Sequence, residues 1–259
     1  MSITHAGRHP RFRWAALAVV AAVALVGAAC GGDDDEDASD EPAEETTQAA
    51  EQADGDVAAF CQARIGLEQA FSSEEPDVDA VEALLADLEA SAPTEIAGNV
   101  TGLSGALDQA AQTGSDPTGD PAFADNIGPI DQFTLSECGY ETVDVTAVEY
   151  AFEGVPETVP AGTTGFTLTN DGDEAHEMVI FRITDGVTGP IEDLFAASEE
   201  EIEQNVTFAG AALADPGQSG TSFVELEPGR YGAICFVPTG GEDGPPHFTQ
   251  GMTAEFEVT

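Results

Sequence analysis

The hydrophobic period of this chain changes once, near Gly139, and that change limits what the two halves can build. Before it, apolar residues recur every three or four positions: Val57, Phe60, Cys61 and Ile65; then Val78, Val81, Leu85 and Leu88; then Ile96, Val100, Leu103 and Leu107. Such spacing predicts amphipathic helices. Pro76 and Pro93 separate the runs, TGSDPTGDP reads as a loop, and Phe123 to Leu135 predicts a fourth helix ending near Cys138. After Gly139 the texture is that of short strands. VDVTAVEYAF alternates, and GFTLTN, HEMVIFRI, TSFVELE, RYGAICFV and MTAEFEVT follow, split by turns such as PAGTT, TNDGDE and LEPGR. One insertion, Ile191 to Val206, reads as helical. The predicted class is therefore α+β: a small N-terminal helical bundle over 55–139, followed by an antiparallel β-sandwich over 140–259.

The N-terminus reads as a targeting segment. Arg8, Arg11 and Arg13 precede an apolar stretch from Ala15 to Ala29 that is too short to span a bilayer. Cys30 follows immediately. That order resembles the signal of bacterial lipoproteins, with one departure: Gly27 stands where that signal usually has Leu or Val. The resemblance implies a signal peptide over 1–29, lipidation of Cys30, and residence on the extracytoplasmic face of the cell membrane through that anchor. Residues 30–54, beginning CGGDDDEDASDE, read as an acidic linker.

Charge restricts the partners. The chain carries 50 Asp and Glu against 6 Arg and Lys, a net charge of −44. Beyond Cys30 the only cations are Arg64, Arg182 and Arg230. Such a surface repels nucleic-acid phosphates, so no nucleic-acid partner is expected, and a protein partner should present a basic surface.

Three cysteines remain after Cys30. In an exported protein paired thiols become disulfides, and an odd thiol needs a reason. Cys61 and Cys138 bracket the helical region and form the natural pair, closing a loop long enough to stabilise the fold by a few kcal/mol. That pairing leaves Cys235 free. The competing pairing, Cys138 with Cys235, would remove Cys235 from any metal chemistry.

Free or not, Cys235 stands in a notable pattern. Only two histidines follow Cys30, His176 and His247. The C-terminal stretch reads Cys235, eleven residues, His247, four residues, Met252. Two imidazoles, a thiolate and a thioether are the ligand set of a mononuclear blue-copper site, with Met as the weak axial ligand. Three of these residues fall between the last two predicted strands, where Pro238, Pro245 and Pro246 stiffen the chain. His176 comes from another strand and would tie the site to the core. Phe236 and Phe248 flank two of the candidates and could shield a metal from water or simply pack. Met178 reads as core, and Glu177 as a solvated charge in preference to a group that supports a ligand.

The segments FTLTNDGDEAH, LEPGRYGAICFV and HFTQGM together resemble the cupredoxin family over Val143 to Thr259. That resemblance implies a Greek-key sandwich with one copper ion, His176 and His247 as imidazole ligands, Cys235 as thiolate and Met252 as axial thioether. It implies a one-electron carrier with a redox partner protein, not an enzyme. Multicopper oxidases need more histidines than this chain has, and it carries no G-x-S-x-G elbow or phosphate-cradling glycine loop. Two alternatives use the same residues or the same fold: a lipoprotein that sequesters or delivers copper, and a metal-free binding or structural module. The Cys235–His247 separation exceeds that of small blue-copper proteins; the copper nitrite reductases carry a longer insertion there.

Overall fold

The computed structural model describes residues 55–73, 77–241 and 244–259. The expected signal peptide, the Cys30 anchor and the acidic linker lie outside the described residues.

Four helices form the first half: α1 (Val57–Phe71), α2 (Val78–Ser91), α3 (Ala97–Thr113) and α4 (Pro121–Glu137). Aspartates begin three of them. Asp56, Asp77 and Asp120 each accept a backbone N–H of the first turn, satisfying donors the helix leaves unpaired. Pro121 adds its fixed φ at the first position of α4. Phe60, Leu88, Val100, Leu103, Ile130 and Phe133 form the bundle core, with the Phe60 and Phe133 rings edge-to-face at 5.3 Å. A disulfide joins Cys61 in α1 to Cys138 at the end of α4, with Cα atoms 5.7 Å apart. The competing pairing does not occur: Cys235 is free and buried.

The second half folds as β1 (Glu141–Val148), β2 (Ala151–Glu153), β3 (Thr158–Val159), β4 (Gly162–Asn170), β5 (His176–Ile183), α5 (Ile191–Phe195), α6 (Glu199–Asn205), β6 (Val206–Ala214), β7 (Ser219–Leu226), β8 (Gly229–Ile234) and β9 (Thr253–Val258). Two sheets result, in the orders β2-β1-β4-β7 and β3-β9-β8-β5-β6. The main core lies between them and includes Val143, Val145, Phe166, Leu168, Met178, Ile180 and Phe256. A second cluster covers the other face of the five-stranded sheet. There Val179, Phe181, Ile183 and Ile234 pack against Ile191, Leu194, Phe195 and Ile202 of α5 and α6. β5 is thus apolar on both faces because both are covered, which explains the unbroken run MVIF.

The fold departs from the sequence expectation in four places. The sandwich is mixed, because β1 pairs parallel with β4 and β3 parallel with β9, whereas the other pairings are antiparallel. After β2 the chain crosses to the other sheet to form β3, and it returns along β4 in the direction of β1. The stretch VDVTAVEYAF forms two strands rather than one, and Val143, Val145 and Ala147 face the core. The helical insertion is two short helices, the second started by a capping box between Ser198 and Glu201. β6 carries the small, weakly strand-forming run AGAALA and was not foreseen.

The bundle rests on β7. Arg64, buried in α1, donates from Nη2 and Nε to Asp131 Oδ1 at 2.8 and 3.3 Å, and from Nη1 to Glu68 at 2.8 Å. Its guanidinium lies 5.0 Å from the centre of the Phe223 ring. Ser222 Oγ donates to Glu68 at 3.1 Å, and Tyr140 OH donates to the Cys61 carbonyl at 3.2 Å.

Candidate metal centre

His176 opens β5 on the row of alternate residues that includes Met178 and Ile180, so it points into the space between the sheets. Asn170 fixes the turn before it. Its side-chain amide donates to the carbonyls of Glu174 and Ala214, each at 2.8 Å, and its Oδ1 accepts from Gly172 N at 2.8 Å. Cys235 immediately follows β8, and its thiol is fully buried. The eleven residues after it do not carry His247 away. The described residues at the two ends of that stretch pair back on each other: His247 N donates to Val237 O at 2.9 Å, Thr239 N to Pro245 O at 3.0 Å, and Phe248 N to Cys235 O at 2.9 Å. His247 then starts a 3-10 turn ending at Gln250.

The result is a convergence of three donors. His176 Nδ1 lies 3.1 Å from His247 Nδ1, and Cys235 Sγ lies 3.5 Å from His247 Nδ1. The three ligand atoms all lie within 4.8 Å of one another, and none of the three residues is exposed. Donors held about 2.0–2.3 Å from one ion sit roughly 3–4 Å apart, so this spacing is that of ligands around a common centre. Met252 is also fully buried, in the same cluster as Cys235, and its carbonyl accepts from Cys235 N at 3.3 Å.

Two glutamates complete the surroundings. Glu174 Oε2 stands 3.0 Å from His247 Nε2, and Glu149 Oε1 stands 3.3 Å from His176 Nε2. The second contact lacks hydrogen-bond geometry and acts through charge. With its Nε2 proton given to Glu174, His247 would turn the Nδ1 lone pair inward, and Glu149 beside His176 Nε2 favours the same tautomer there. The two Nδ1 atoms face each other at 3.1 Å beside a thiol sulfur, and in those tautomers a shared cation would satisfy both lone pairs. The residues therefore fit a soft or borderline metal ion held by two nitrogens and one sulfur.

Burial pushes the Cys235 thiol up to about 11, against the pull of the Glu177 and Val237 N–H groups. Burial and then the neighbouring His247 push His176 down, so it is neutral at neutral pH, despite Glu149. The N–H groups of Glu174 and Asp173 hold Glu149 low, and the Gly240 N–H does the same for Glu174.

Glu149 and Glu174 were missed at the level of sequence. In a chain with 50 acids no local signal marks two of them, and Glu149 lies 27 positions before His176. Glu177 does more than meet solvent: its Oε1 accepts from Phe236 N at 3.0 Å, and its own N–H points at Cys235 Sγ at 3.5 Å. Phe236 and Phe248 pack edge-to-face at 5.6 Å in the cluster beneath α5, on the far side of the five-stranded sheet.

The strand order, the turn bearing His176 and the C-terminal loop bearing the other donors define the architecture. The C-terminal half is a two-sheet β-sandwich that brings His176, Cys235 and His247 together. No protein-family model matches the chain, and no curated protein matches it. Among solved structures, reduced auracyanin from Roseiflexus castenholzii is 23% identical, covering 47% of this chain and 99% of its own, with a TM-score of 0.34. Auracyanin A from Chloroflexus aurantiacus, described as a "blue" copper protein, is 18% identical over 47% of this chain and 100% of its own, with a TM-score of 0.32. Rusticyanin from Thiobacillus ferrooxidans is 15% identical over 47% and 79%, with a TM-score of 0.29.

Proposed function

We propose that this protein is a copper-binding one-electron carrier. The observation that carries the reading is the meeting of His176 Nδ1, His247 Nδ1 and Cys235 Sγ in a site closed to solvent. Met252, buried in the same cluster as Cys235, would offer its thioether to the ion. Copper in such a set supplies a reversible one-electron couple. The chain's part is to hold the donors still. They come from the start of β5, the end of β8 and a 3-10 turn pinned by backbone hydrogen bonds, so little needs to move when the charge changes. Burial excludes water and external ligands, which suits electron transfer and leaves no room for a substrate at the ion.

The same reading places the protein outside the cytoplasm, anchored by lipid at Cys30. The leader and the Cys61–Cys138 disulfide, a bond that persists in oxidising compartments, support this placement. A redox partner should be basic, given a net charge of −44.

Addition of one equivalent of Cu(II) should give an intense blue thiolate-to-copper charge-transfer band and a narrow EPR hyperfine pattern. Cys235→Ser should abolish the colour while circular dichroism stays native. A pale adduct without reversible redox would indicate sequestration or delivery instead, and colour surviving in Cys235→Ser would overturn the ligand assignment.

A further inference from the structure

We infer that Glu149 and Glu174 are charged tuning residues that bias the site toward the divalent state of its metal and keep its reduction potential low; this rests on the copper reading above. Each buried imidazole ends on one of these carboxylates, His176 on Glu149 at 3.3 Å and His247 on Glu174 at 3.0 Å. Both acids are fixed in place. Glu149 Oε1 accepts the N–H groups of Asp173 at 2.7 Å and Glu174 at 2.9 Å. Glu174 Oε1 accepts from Gly240 N at 2.6 Å, and its Oε2 accepts from Tyr150 OH at 3.3 Å. These donors stabilise the ionised forms.

Gly172 provides an independent sign that the approach of Glu149 is built in. A Cβ at that position would stand 2.5 Å from Glu149 Oε1 and 2.8 Å from His176 Nε2. Any larger residue would occupy the space through which the carboxylate reaches the ring.

The consequence follows from charge. A carboxylate on the outer nitrogen makes an imidazole a stronger donor, and partners of this kind commonly change metal affinity by about 10–100-fold. Added to the Cys235 thiolate, two further negative charges favour a dication over a monocation. Both glutamates are nearly one-third exposed, which screens part of this effect and sets the expectation at the low end of that range.

The test uses the full chain loaded with copper. Redox titration and chelator competition are run on wild type, Glu149→Gln, Glu174→Gln and the double variant. Glu149→Gln is the cleanest change, because all the named contacts of Glu149 are made by one oxygen, which an amide retains. Each single variant should weaken Cu(II) binding about tenfold while weakening Cu(I) binding less than about threefold, so the potential rises by roughly 30–60 mV. Glu149→Asp, which keeps the charge, should stay near wild type, and Gly172→Ala should shift the potential in the same direction as Glu149→Gln. Equal losses for Cu(I) and Cu(II), or unchanged potentials in blue, folded variants, would overturn this inference alone. A wild-type protein that takes up copper without thiolate colour would overturn the copper reading and this inference with it.

Discussion

Cys235 carries two opposed requirements. As a metal ligand it must be a thiolate, yet its burial holds the free thiol up at about 11. At neutral pH the metal-free side chain is therefore protonated, and an ion entering the site displaces that proton. His176 is pushed down and is already neutral there, so it adds no competing proton near pH 7. Copper affinity should consequently rise about tenfold per pH unit between roughly pH 7 and 9, with one proton released per ion. Calorimetry in buffers of different ionisation enthalpy measures that proton, and a pH-independent affinity would show that Cys235 is not a ligand. The residues of this site were legible because alternatives were scarce: two histidines and one odd thiol remain beyond Cys30. Glu149 and Glu174 were illegible for the opposite reason, since abundance hides the two acids that matter. Glu177 was read as solvent-facing although its carboxylate is tied to Phe236 N.

Among the elements, helices declared themselves best. Each of the first three runs of three-and-four spacing became one helix, and the predicted Cys61–Cys138 closure formed. Strands were readable where β-branched and aromatic residues dominate, as in HEMVIFRI. They failed where the pattern carries no propensity: Gly and Ala in β6 are held as a strand by pairing with β5, a tertiary cause that no local window contains. The parallel pairing of β1 with β4 is equally non-local. The separation of Cys235 from His247 was the least readable feature, because the pairing that closes it depends on backbone bonds from Val237 and Thr239 to residues near its far end. The disulfide spans 77 positions, and in the chain-entropy view its value lies in the unfolded state. Replacing both Cys61 and Cys138 by Ala should lower unfolding stability by about 2–4 kcal/mol in denaturant titrations, with copper colour unchanged. Loss of colour would mean that the bundle supports the metal centre directly.

Across the whole molecule, the helical half and the sandwich meet around a charge. Arg64 is 4% exposed, ion-paired with Glu68 and Asp131, and stacked on Phe223 of β7. Burial alone would pull its pKa down, but the two carboxylates outweigh that and keep it charged. Removing one partner of a buried pair strands the other. Arg64→Ala should therefore cost about 3–5 kcal/mol, well above the surface-pair range, and Asp131→Ala should cost a comparable amount. A double variant with apolar residues at both positions should recover much of the loss, which a double-mutant cycle by chemical denaturation would measure. A loss under about 1 kcal/mol for Arg64→Ala would show that the junction contributes little.

X-ray absorption at the copper edge of the Cu(II)-loaded protein tests the common centre most directly. Two nitrogens and one sulfur should appear within about 2.0–2.3 Å of the ion, and the sulfur should vanish in Cys235→Ser. A shell of only nitrogen and oxygen in the wild-type protein would contradict the assignment of His176, Cys235 and His247 to a single ion.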